Sequence, residues 1–257
     1  MHAVLIFLYL LVAGMAAGLI SSIAGMASLF SYPVLLSLGI PPVGANVTNT
    51  AALIFTGIGS GLSSMTELNS HRSETIRVAI ISLLGSIVGS FLLTLAPAKV
   101  FERVVPFFIF MAGCLMLLSQ RKKKQSLIKE KAVKPSLLKS TLSGLAIFLV
   151  GIYGGYFGAA AGIVILSILS FSLPVSLPVS NAIKNFTSLI SNLVAIVIYT
   201  FTTKVYWLLV IPLGLGMFTG GYIGPIIVRH VPTRPLSICI GLAAFGLAGY
   251  LFYTAYF

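Results

Sequence analysis

Charge is what this sequence has least of. Only 8% of its 257 residues are Asp, Glu, Lys or Arg and 58% are apolar, against a charged share of roughly 25% in soluble domains. With a mean hydropathy of +1.09, a water-soluble fold is excluded. There is no Asp, and the four glutamates, Glu67, Glu74, Glu102 and Glu130, stand at the ends of apolar runs or between them. A buried carboxylate relay for protons therefore has nothing to be built from. Histidine is as scarce and as peripheral, at His2, His71 and His230, and no H-E-x-x-H or G-x-S-x-G occurs. An intramembrane enzyme would need such a base, nucleophile or metal cluster, and no residue calls for a cofactor or a metal. The two cysteines, Cys114 and Cys239, sit inside apolar runs at unmatched positions, which gives no disulfide framework. Alternating barrel-strand patterns are also missing.

What is present is a set of apolar runs that reach or exceed the roughly 20 residues a helix needs to cross a bilayer. Eight can be traced: 3–39, 44–66, 75–96 and 101–119, then 139–172, 178–201, 205–228 and 235–257. These runs predict an all-α, polytopic membrane protein. The first four form one unit, 1–119, and the last four another, 137–257, joined by a basic stretch at 120–136. Eight of the sixteen Lys and Arg residues lie between Arg121 and Lys139, the signature of a cytoplasmic loop and not of a nucleic-acid surface.

The two units are copies. GLISSIAGMASLFSYPVLLSLGIPPVGANVTNTAALI, from Gly18, returns as GIYGGYFGAAAGIVILSILSFSLPVSLPVSNAIKNFTSLI, from Gly151. Gly25 aligns with Gly158 and, past the loop, Pro42, Asn49 and Leu53 with Pro178, Asn185 and Leu189. The opening run of each copy is too long for one crossing, about 50 Å as a single helix, and too short for two. A break at Gly25 and at Gly158, with a re-entrant half-helix after it, resolves the conflict, because non-helical backbone at membrane depth is tolerated where it lines a cavity. The expected count is eight to ten helices. Each half then makes an odd number of net crossings, so the halves are inverted; with the basic loop in the cytoplasm, His71, Arg72, Arg77, Arg229, His230 and Arg234 are inside and both termini outside, whereas the alternative, a single crossing by each opening run, puts Arg229 and Arg234 outside against the charge bias. Glycines four apart, such as Gly85 and Gly89 or Gly216, Gly220 and Gly224, read as helix-packing stripes.

At these residues the chain resembles the sulfite exporter TauE/SafE family of membrane transporters, over essentially its whole length. The family's glycine cluster, close to G-x-G-G-G, is thinned here to Gly25-Met26-Ala27-Ser28 and Gly158-Ala159-Ala160-Ala161-Gly162. The resemblance implies export or uptake of small sulfur-containing or organic anions, such as sulfite or sulfoacetate, across the plasma membrane.

A dehydrated anion needs hydrogen-bond donors. The N-terminal ends of broken helices supply free backbone N–H groups and partial positive charge, which singles out Gly25, Ser28, Gly158 and Gly162. The polar entry of the following helix supplies side chains: Thr48, Asn49 and Thr50 in one copy, Asn181, Lys184, Asn185 and Ser188 in the other. Asn49 and Asn185, at one repeat position, are either site donors or interhelix hydrogen bonds. Lys184, the only charge among these stretches, either faces the cavity or snorkels to the interface. Ser63, Ser64, Ser191 and Asn192 read as packing. The partners expected are a small anion and the lipid bilayer, with no nucleic acid; a homodimer is left open.

Overall fold

The computed structural model describes residues 2–122, 137–173, 175–230 and 234–256, so the centre of the basic loop and Pro174 lie outside the described residues. Eleven helices follow one another: α1 (His2–Ala24), α2 (Ser28–Ser37), α3 (Pro42–Ser63), α4 (Met65–Ser70), α5 (Arg72–Leu95), α6 (Ala98–Lys122), α7 (Leu137–Tyr156), α8 (Ala161–Ser172), α9 (Leu177–Thr202), α10 (Trp207–His230) and α11 (Arg234–Tyr256). No strand occurs among the described residues.

The opening runs are broken where their length requires it. Gly25 and Gly158 take φ of 75° and 74°, the left-handed region that glycine enters without a Cβ penalty. After each break comes a short helix, α2 of 10 residues and α8 of 12. At 1.5 Å per residue these are about 15 and 18 Å long, roughly half of a bilayer core. The second break is the more strained, since Ala160 also adopts φ 59°, a conformation uncommon outside glycine. The Tyr153 hydroxyl braces that turn by donating to the Ala159 carbonyl at 2.5 Å. The helices after the breaks, α3 and α9, start on prolines at their first or second position, where the missing N–H costs nothing.

The helix count exceeds the expected eight to ten because of α4, six residues with none of them buried. Its MTELNS sequence has no apolar stripe, so nothing in the periodicity announces a helix there.

The interior reverses the order of a soluble protein. Asn46, Thr48, Asn49, Ser60, Ser86, Ser90, Asn181 and Lys184 are buried, while Ile76, Ile80, Leu84, Val88 and Phe91 of α5 are exposed, as are Val4, Leu8 and Val12 of α1. Apolar side chains outward and polar ones inward is the arrangement a lipid environment selects. Runs in α1, α5, α9 and α10 are long and apolar enough to cross a membrane.

Small residues set the packing. α1 lies against α10 and α7 against α5, so the opening helix of each half packs on the third long segment of the other. Gly216 and Gly220 abut the backbone of α1 at Leu11 and Met15, and Gly85 and Gly89 abut α7 at Phe148 and Ile152. α3 and α9 cross where Gly57 meets Leu189, and the two breaks touch, since a Cβ on Gly25 would sit 2.5 Å from the Gly162 Cα. Tyr32, Phe101, Phe108, Tyr153, Tyr156 and Phe157 form an aromatic cluster around the second break.

Candidate functional site

Where the breaks meet, the bundle leaves a cavity of about 70 Å³, space for about five water-sized groups. Its walls are the two breaks (Gly25, Ala27, Ser28; Phe157, Gly158, Ala161, Gly162), one stripe of α3 from Thr50 to Ser60, one stripe of α9 from Lys184 to Asn192, Ser82 of α5, and Val150, Gly151 and Gly154 of α7. α2 and α8 both begin here. Most of their first N–H groups are taken up by the preceding turns, Leu29, Phe30 and Ser31 donating to the Met26 and Ala27 carbonyls and Ala161 and Ile163 to those of Gly158 and Ala160. The N–H groups of Ser28 and Gly162 are left, at helix ends that carry partial positive charge.

Lys184 lines this cavity and does not snorkel. It is 1% exposed, and its Nζ donates to the Ser21 and Ser22 carbonyls at 3.1 and 3.2 Å. These are among the last carbonyls of α1, at its negative end; the Ser21 carbonyl also accepts the Gly25 N–H. The Ser22 carbonyl also accepts from Asn181 Nδ2 at 2.8 Å and Asn185 Nδ2 at 3.3 Å. Three side chains on two successive turns of α9 thus finish the broken end of α1. No carboxylate lines the cavity among the described residues, which leaves one lysine, two helix N-termini and the carbonyl end of α1 to set its potential.

The residues expected from sequence divide into two groups. Gly25, Ser28, Thr50, Gly158, Gly162, Lys184, Asn185 and Ser188 line the cavity together. Asn49, Thr48 and Asn181 stand behind it. Asn49 donates to Ser28 Oγ at 3.0 Å and accepts from Ser31 Oγ at 2.5 Å, so it holds a wall residue in place. Thr48 Oγ1 accepts from the Tyr206 backbone N–H at 3.1 Å, and Asn181 is spent on Ser22. Six polar lining residues were not selected from sequence: Ser21, Thr56, Ser60, Ser82, Ser191 and Asn192. The available signal was helical spacing, because Thr56 and Asn192 lie seven residues, or two turns, beyond Asn49 and Asn185.

Broken helices that face a polar cavity inside an apolar-surfaced bundle define a multi-pass membrane transporter. Comparison with known proteins agrees. Residues 10–251 match the profile of the Sulfite exporter TauE/SafE family, and the chain belongs to that family. It is 27% identical over 216 residues to a probable membrane transporter protein, ORF9, of Sinorhizobium sp, covering 84% of this chain and 80% of that one. A probable membrane transporter protein of Haemophilus influenzae is 26% identical over 220 residues, 82% of this chain and 79% of its own length. YunE of Bacillus subtilis, also named a probable membrane transporter protein, is 24% identical over 270 residues, 98% and 99% of the two chains. No solved structure matches.

Proposed function

We propose that the protein is a secondary transporter, an exporter of small sulfur-containing or organic anions such as sulfite or sulfoacetate, that works by alternating access around the cavity between two inverted halves. One observation carries the reading: a small cavity lined by two helix N-termini and the buried Lys184, with no carboxylate on its walls among the described residues. Such a site favours a negative guest and disfavours cations. Ser28 and Gly162 offer backbone donors, and Gly25 and Gly158, whose own N–H groups bond the Ser21 and Tyr153 carbonyls, offer room; Thr50, Asn185 and Ser188 add side chains; Asn49, Thr48 and Asn181 hold the frame.

The exchanged packing, α1 on α10 and α7 on α5, supports two inverted repeats that rock against each other. In the orientation we infer, the basic loop is cytoplasmic and both termini are external, in the plasma membrane. Export then needs no proton relay. A negative-inside potential drives an anion out by about 2.3 kcal/mol per charge per 100 mV.

The test is flux. Purified protein in proteoliposomes is expected to give saturable uptake of radiolabelled sulfite or sulfoacetate, inhibited by the other. Unsaturable flux indicates a channel. Saturable flux of an uncharged or cationic solute, with none of an anion, overturns the anion reading and leaves the family membership intact.

A further inference from the structure

The cavity does not end at Lys184. Asn192, eight residues further along α9, also lines it, and that is about 12 Å along the helix axis, longer than a compact oxyanion. The walls between and beyond are neutral and carry polar groups that the protein leaves unpaired. Thr56 is 3% exposed, and its Oγ1 has no hydrogen-bond partner among the described residues. Ser188 and Asn192, each half-buried, form no hydrogen bond to another described residue through their side chains. A buried polar group without a partner, as at Thr56, is costly inside a membrane protein, and Ser188 and Asn192 line the same cavity.

The wall beside them is fixed. Ser82 Oγ lies 3.2 Å from Ser191 Oγ, and Ser86 Oγ donates to the Ser191 carbonyl at 3.1 Å. These bonds tie α5 to α9 at the level of Asn192 and leave the Asn192 amide free. Thr56 and Asn192 also stand at one repeat position, as Asn49 and Asn185 do. The first pair faces the cavity on both helices. The second pair is bonded into the frame, to Ser28 and Ser31 in one case and to Ser22 in the other.

We propose that Thr56 and Asn192, with Ser188 one turn nearer Lys184, form a second, uncharged station that takes the oxygen atoms of an oxyanion as it passes to or from the Lys184 end. The station rests on the anion reading given above and adds a step to it. A lone cationic site that holds an anion well also holds it too long; conduction needs sites weak or numerous enough to leave. Hydroxyl and amide donors without charge supply such a place.

The test uses the full chain with sulfite as the probe. Calorimetric binding to purified protein and radiolabelled sulfite flux into proteoliposomes are compared for wild type, Thr56→Val, Asn192→Ala and the double variant, with Thr56→Ser as control. The double variant is expected to keep its sulfite Kd within twofold, which also shows that it folds, while its turnover at saturating sulfite falls at least tenfold and Thr56→Ser stays near wild type. Unchanged turnover overturns the station. So does a parallel loss of affinity and turnover, which would mean a single site. Wild-type protein that binds no anion overturns the anion reading first and the station with it.

Discussion

The ends of α1 and α7 occupy matching places in the two halves, and different chemistry finishes them. At α1 the Ser21 and Ser22 carbonyls receive Asn181, Lys184 and Asn185 from α9. At α7 the Gly155 carbonyl receives the Tyr199 hydroxyl, and the Tyr156 carbonyl receives Asn46 Nδ2 at 3.1 Å. Both solutions satisfy carbonyls that a broken helix exposes to a low-dielectric interior. Only the first adds a lysine amine, and it places that amine on the cavity wall. Thr48, the repeat counterpart of Lys184, is fully buried and takes no part in either end. Duplicated backbone geometry therefore makes the cavity, and one diverged side chain makes it positive and one-sided.

The largest effect is expected where the two breaks touch, since that contact underlies both ends. Gly25→Val places a branched Cβ at φ 75°, against the Gly162 backbone, and should cost about 3 to 5 kcal/mol from the left-handed conformation and overpacking together. Gly61→Ala, a glycine with nothing within 4 Å, should stay within about 0.5 kcal/mol. Thermal melting in detergent separates them; equal melting points would mean that the breaks are not held by that contact.

Next comes the charged end. Lys184→Met should weaken sulfite binding by about 2 to 3 kcal/mol, the worth of a hydrogen bond to a charged group, and change stability by about 1 kcal/mol or less, because removing a buried charge for an apolar side chain is often neutral. A melting point that falls further than the affinity would make Lys184 a helix cap and nothing more.

The neutral end should behave in the opposite way. Tyr199→Phe removes the donor to Gly155 and should cost about 1 to 1.5 kcal/mol of stability with sulfite affinity unchanged. Loss of binding in this variant would erase the contrast between the ends. The smallest change is expected at Asn49→Ala, which frees Ser28 from its donor; affinity should fall two- to tenfold, at most about 1.4 kcal/mol, and a complete loss would place Asn49 in direct contact with the anion.

Much of this was legible in the sequence for reasons of length. Runs of 37 and 34 residues, 3–39 and 139–172, fit neither one crossing nor two, and glycine marked the place where each had to break. Lys184 was harder, because a lysine two turns into a helix has a stem long enough to reach either water or a neighbour. Only the position of α1 decides, and that is tertiary. The serines that fix the Asn49 amide lie 18 and 21 residues away, on α2, so nothing local told a ligand donor from a frame donor. Thr56 and Asn192 stayed hidden because an isolated polar residue on an apolar helix reads as packing until its lack of a partner is visible. The polar α4 has no period to be read at all.

The most direct measurement is calorimetric titration of the purified protein with sulfite, in competition with a second anion and with an uncharged sulfone of similar size. A cavity in which Lys184 is the only charged side chain among the described residues should show saturable sulfite binding that the anion displaces and the sulfone does not. Absence of saturable binding by any anion, or equal binding of the sulfone, would contradict it.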